Sequence, residues 1–191
     1  MRHVNRSWTF LWGAAAILGG LTSGAADTPP ADAVTSAWQH HKVKFNYTGF
    51  TSLYTCDGLE DHVRQILLHI GARKDIDVRA IGCPGPINSP SRTAWVDADF
   101  YTLAPAADAS ASDTVQGHWT RLEVTPTRPN FMGGGDCELI EQMKDLITQN
   151  FSLRNIEYRT DCFAHQIVLD GFAVKGEALR ALPMNAHPVR G

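Results

Sequence analysis

Four cysteines constrain this chain more than any other feature: Cys56, Cys83, Cys137 and Cys162, shared between two stretches that read alike. In each stretch one cysteine opens a helical pattern and the other closes the strand that follows. Four cysteines admit three pairings, and the parallel placement selects Cys56 with Cys83 and Cys137 with Cys162. Each bridge closes a loop of about 25 residues, worth roughly 3–4 kcal/mol in the chain-entropy model. That is a large share of a typical domain stability of about 5–15 kcal/mol. A cysteine at a helix N-terminus has the lowered pKa that a redox thiolate needs, but no C-x-x-C occurs, so the bridges read as structural.

Such bridges need an oxidising compartment. Arg2, His3 and Arg6 precede the apolar run WTFLWGAAAILGGL (residues 8–21), which gives way to the small residues of TSGAA (22–26). That order reads as a secretory signal peptide over residues 1–26, cleaved after Ala26. The run is short for a membrane span and no lipid-accepting cysteine follows it, so we expect a periplasmic or secreted protein with no integral membrane segment after cleavage. The leader holds two of the 17 basic residues and none of the 20 acidic ones, leaving 15 against 20 and a net charge near −5. Nucleic acid and anionic membranes are therefore not expected as partners. The remaining length, about 165 residues, suffices for one domain with a real core.

Periodicity supplies the elements. Val43, Phe45 and Tyr47 alternate with Lys42, Lys44 and Asn46 as a strand. Leu59, Val63, Ile66, Leu67 and Ile70 recur at helical spacing, with Asp57 and Glu60 as a capping box and Gly71 as the stop. DIDVRAIGC (75–83) and RTAWVDADFYTL (92–103) read as strands. Beyond the small, polar stretch 104–117 the order recurs: a strand HWTRLEVTP (118–126), a helix over residues 137–149, then strands LRNIEYRTDC (153–162) and HQIVLDGFAV (165–174). After Val174 a short helix is expected before Pro183.

The expected fold is α+β: two strand-helix-strand-strand units forming a mostly antiparallel sheet, with two helices on one face and two disulfides. The units read either as a duplication or as a shared supersecondary preference. In outline, a disordered segment (27–36) precedes a single domain (37–183) whose halves, 37–103 and 118–174, are joined by a linker (104–117) and followed by a tail (184–191).

Candidate chemistry is sparse. MGGGDC (132–137) resembles a backbone nest at a helix start. It lacks the Gly-Lys-Ser/Thr of a phosphate loop, and Asp136 places a negative charge where a phosphate would sit, so Asp136 reads as an N-cap and the glycines as a turn. Ser89 and Ser91 lie in a proline-rich loop and serve turns. His40, His41, His62, His69, His118 and His165 would have to converge to hold a metal, and no local spacing brings any three together. Asp97 and Asp99 share a strand face as an acid–base pair would, but two acids alternating with Val96, Ala98 and Phe100 also describe any half-buried strand.

The same alternation puts Trp95, Asp97, Asp99 and Tyr101 opposite the core. With Leu122 and Val124 inward, Trp119, Arg121 and Glu123 face outward as well. If the two strands pair across residues 104–117, one sheet face carries two tryptophans, a tyrosine and mixed charges, which is the chemistry of a binding surface. The competing reading buries these aromatics under another segment. We therefore expect a non-enzymatic exported protein with no cofactor, binding an envelope or extracellular protein, a second copy of itself or a small ligand through Trp95, Asp97, Asp99, Tyr101, Trp119 and Arg121. The rivals are a periplasmic metal-binding protein using converging histidines and an enzyme drawing on distant residues such as His165, Asp97 and Arg121.

Overall fold

The computed structural model describes residues 33–83, 89–106 and 114–182. The elements run β1 (Ala33–Thr48), α1 (Cys56–Ile70), β2 (Asp77–Ile81), β3 (Thr93–Pro105), β4 (Thr114–Val124), α2 (Cys137–Gln142), α3 (Lys144–Asn150), β5 (Leu153–Thr160) and β6 (Phe172–Ala181). All six strands join one sheet in the order β2-β3-β1-β4-β6-β5, and every pairing is antiparallel. The order reads the same outward from the β1–β4 pair: in each half the third strand of the unit lies between the first and the second. The expected disulfides, Cys56–Cys83 and Cys137–Cys162, are both present.

Three element boundaries differ from expectation. β1 begins at Ala33, inside the segment expected to be disordered, because Ala33–Ala37 pair with Thr114–His118 of β4. The outer parts of the expected linker are likewise strand: Ala104 and Pro105 sit opposite Ala37 and Ser36. A 16-residue β1 offers backbone partners to two neighbours at once, which local composition does not reveal. At the other end, residues 175–181 are strand where a helix was expected, and 165–171 lie outside any strand. β6 gains ladders on both sides, from β4 and from β5, and that outweighs the helix preference of its alanines and leucines. Residues 1–32, 84–88, 107–113 and 183–191 lie outside the described residues, and with them the expected leader (1–26), the middle of the proline-rich loop, the centre of the expected linker and the expected tail (184–191).

Helix α1 follows its pattern. Leu59, Val63, Ile66, Leu67 and Ile70 are buried, each worth about 1.5–3 kcal/mol against exposure. Its N-cap is Thr55, whose hydroxyl accepts the Gly58 N–H at 3.0 Å, and not Asp57. Glu60 instead accepts the Ala80 N–H at 2.8 Å, tying the helix to β2. Gly71 closes the helix, and the Arg180 guanidinium donates to the carbonyls of His69 and Ile70, a cation where the helix dipole favours one. The second expected helix is divided at Met143 into α2 and α3, with Leu139, Ile140, Met143, Leu146 and Ile147 all buried. These side chains meet Val96, Ala98, Phe100, Leu122, Val124, Phe172 and Val174 in one core on one face of the sheet.

Candidate binding face

The register places each predicted site residue. Residues directly opposite one another in antiparallel strands share a face. Arg79, Asp97 and Lys44 form one row across β2, β3 and β1; Asp77, Asp99 and Lys42 form the next. Tyr101 stands opposite His40. On the other side of the sheet centre, Trp119 is opposite Leu179 and Arg121 opposite Glu177. Strands β3 and β4 do not pair, since β1 lies between them. The six residues nevertheless project from one face, opposite the helices, but in two groups rather than one contiguous stripe.

The first group is a lattice of charge. Lys44 donates to Asp97 at 3.0 Å, while Asp99 meets His40 at 2.6 Å and Lys42 at 3.1 Å. Hydrogen bonding from His40 and then Lys42 holds the Asp99 carboxyl below its usual range. A shallow crevice of about 420 Å3 runs over Lys42, Lys44, Asp77, Arg79, Asp97 and Asp99, three cations against three anions. Such exposed pairs, screened by solvent, add little to stability, so their alternation bears on what the face can meet more than on folding. At the end of the rows Trp95 is 58% exposed beside Ile81, which is 53% exposed.

The other aromatics are partly covered. The Tyr101 ring stacks on His40 with centroids 4.7 Å apart and lies 3.8 Å from the Arg73 guanidinium carbon. Trp119 lies under Arg154, whose guanidinium carbon is 4.6 Å from the ring centroid, while Arg154 itself grips Glu177 at 2.7 and 3.1 Å. Arg121 reaches Glu123 at 3.3 Å and lines a separate crevice with His69, Arg128 and Arg180. Of the two tryptophans, only Trp95 is open.

The rivals' residues do not assemble. Asp97 serves Lys44, Arg121 serves Glu123, and the His165 ring packs edge-on against Phe50 at 6.0 Å. Among the described residues no group of three or more His, Cys, Asp or Glu is placed to hold a metal ion. The histidines disperse to Asp99 (His40), Thr102 (His41), Asp136 (His62) and the Glu123 carbonyl (His69).

Sequence reasoning missed a buried polar cluster where the halves meet. Asp136 stands at the N-cap of α2 but makes no side-chain cap bond to that helix; its Oδ2 instead accepts the Gly133 N–H at 2.6 Å, capping the short 3-10 turn that precedes α2, and its Oδ1 accepts the Tyr54 hydroxyl. His62 Nε2 approaches the same carboxylate to 3.2 Å. Burial opposes ionisation of Asp136, but His62 and Tyr54 outweigh it and hold the carboxyl below its usual range. Burial, reinforced by Asp136, pushes the Tyr54 hydroxyl up. Two positions on, buried Glu138 accepts the N–H groups of Phe50 and Thr51 at 2.8 and 3.0 Å. Every donor here belongs to the first half and both carboxylates to the second, apart from Gly133. The cluster clamps the halves together.

The glycines of MGGGDC serve that closure. A Cβ on Gly134 would stand 2.7 Å from Ile167 Cγ2, and one on Gly135 2.2 Å from Ser52 Oγ, so side chains here would require Ile167 and Ser52 of the two covering loops to move. No protein-family model, curated protein or solved structure matches this chain.

Proposed function

We propose that this chain is an exported, non-enzymatic binding protein whose helix-free sheet face engages an envelope or extracellular protein. The observation that carries the reading is Trp95, open to solvent at the end of rows in which Arg79, Asp97 and Lys44 alternate in sign. Large exposed aromatics beside charges are the residues that anchor protein interfaces. The open, shallow crevice over the charged rows suits a protein surface better than an enclosed small molecule. The two disulfides are compatible with an oxidising compartment, where such a partner would be met.

Capture from an envelope extract with the oxidised protein as bait tests this. Trp95→Ala, and separately Lys44→Glu to break the row, should each lower recovery of the captured partner by about tenfold or more while the fold is kept. Equal recovery by a folded Trp95→Ala, Trp119→Ala protein sinks the sheet-face reading.

A further inference from the structure

Five of the eight exposed large apolar side chains among the described residues lie away from the sheet face. They lie on two loops, residues 50–53 and 163–169, drawn one from each half of the chain. Phe50 and Leu53 are each 48% exposed, Phe163 58%, Ile167 68% and Leu169 85%. Contacts hold the loops together. Glu138 fixes the backbone of Phe50 and Thr51, and the Thr51 hydroxyl lies 3.2 Å from Glu138 Oε1 and 3.3 Å from the Phe163 carbonyl. The Phe50 ring meets His165, Ile167 rests against Gly134, and the Cys137–Cys162 bridge anchors the second loop one residue before Phe163. A surface already locked in place loses little conformational entropy when it docks.

We propose that two copies of this chain associate through this platform. Five side chains at these exposures offer on the order of 500 Å2 of apolar surface, near the upper end of what a typical monomer leaves uncovered. A stable interface buries about 800 Å2 per partner, so the platform supplies the apolar centre and its polar rim the remainder. The rim has both signs: Arg159 pairs with Asp161 at 2.5 Å and with the outlying Asp170 at 3.3 Å. Under a two-fold axis, Arg159 of one copy can face Asp170 of the other and the reverse, the self-complementarity a closed dimer requires. A bilayer is a poorer occupant, because Asp161 and Asp170 share the loop with the apolar residues and would enter the headgroups with them. The platform uses none of the sheet-face side chains, so a dimer made this way keeps two binding faces.

Sedimentation velocity of the oxidised protein from about 1 to 100 μM, a range that resolves a micromolar dissociation constant, tests this directly. The expected result is a concentration-dependent dimer. Ile167→Lys with Leu169→Lys should raise its dissociation constant by about tenfold or more, while Trp95→Ala leaves it unchanged. Both lysines replace exposed side chains; if the pair impairs folding, Leu169→Lys alone carries the same expectation. A monomer throughout the range overturns the proposal. So does a dimer indifferent to the lysines or abolished by Trp95→Ala, or a monomer that binds phosphatidylethanolamine–phosphatidylglycerol vesicles through these loops. The sheet-face reading fails only on partner capture, so the two fail separately.

Discussion

The carboxylate of Glu138, at the start of α2, accepts the backbone N–H of Phe50, 88 residues earlier in the chain, at 2.8 Å. With the Thr51 N–H at 3.0 Å, one buried side chain satisfies two backbone donors of the other half. Removing it takes the partner from two part-buried donors, and a donor left unsatisfied costs more than its bond was worth. Glu138→Ala should therefore destabilise the protein by about 2–4 kcal/mol, read as a lower urea midpoint at unchanged m-value. A loss within 0.5 kcal/mol would show that solvent reaches these amides without it.

Asp136 sets an acid limit. Its folded-state carboxyl lies below the ordinary 3.8, so its contribution is complete above that value and is lost as pH falls through the folded pKa. Asp136→Asn should lower stability at neutral pH by about 1–3 kcal/mol and flatten the profile below pH 3.8, measured by urea titrations across that range.

His69 and His41 act nearer neutrality. Burial, the largest influence on each, pushes both below 6.5. The unfolded chain then takes up protons first, and stability declines as pH falls through 6.5 toward the folded values. A His41→Gln, His69→Gln protein should show a shallower decline below pH 6.5 than the wild type. An unchanged slope would assign the decline elsewhere.

The bridges differ in what they hold. Losing either should cost roughly 3–4 kcal/mol. Replacing Cys137 and Cys162 by serine should also speed amide exchange at Phe50 and Thr51, because that bridge fixes the turn on which Glu138 stands. Replacing Cys56 and Cys83 should leave those two amides close to the exchange rate expected from global stability alone.

The glycine run can be dissected position by position. Gly134→Ala drives a methyl to 2.7 Å from Ile167 and 3.3 Å from the Val168 carbonyl, whereas the nearest atom to a Cβ on Gly133 is 3.8 Å away. The first should cost about 1–3 kcal/mol and the second less than about 1, compared by thermal unfolding. Equal costs would mean that turn conformation rather than loop closure selects glycine here.

Much of this protein is local and was therefore legible. Helix α1 is written in the spacing of Leu59, Val63, Ile66, Leu67 and Ile70, and β3 in the alternation from Trp95 to Tyr101. The cysteine pairs followed from their matching places in two like units. Periodicity also put Trp95 and Trp119 on one face, because which side a residue takes within a strand depends on the strand alone. What lay beyond the sequence was which strands meet and what covers each side chain. That β1 separates β3 from β4, that residues 175–181 are strand, and that Arg154 covers Trp119 while Trp95 stays open all depend on which strands meet. Asp136 looked like a helix cap because its neighbours in sequence suggest one. Its partners Tyr54 and His62 come from more than 70 residues away, and only folding brings them within reach. Backbone preference and side-chain alternation act over a few residues, whereas burial, charge pairing and exposure depend on what the finished fold sets beside each residue.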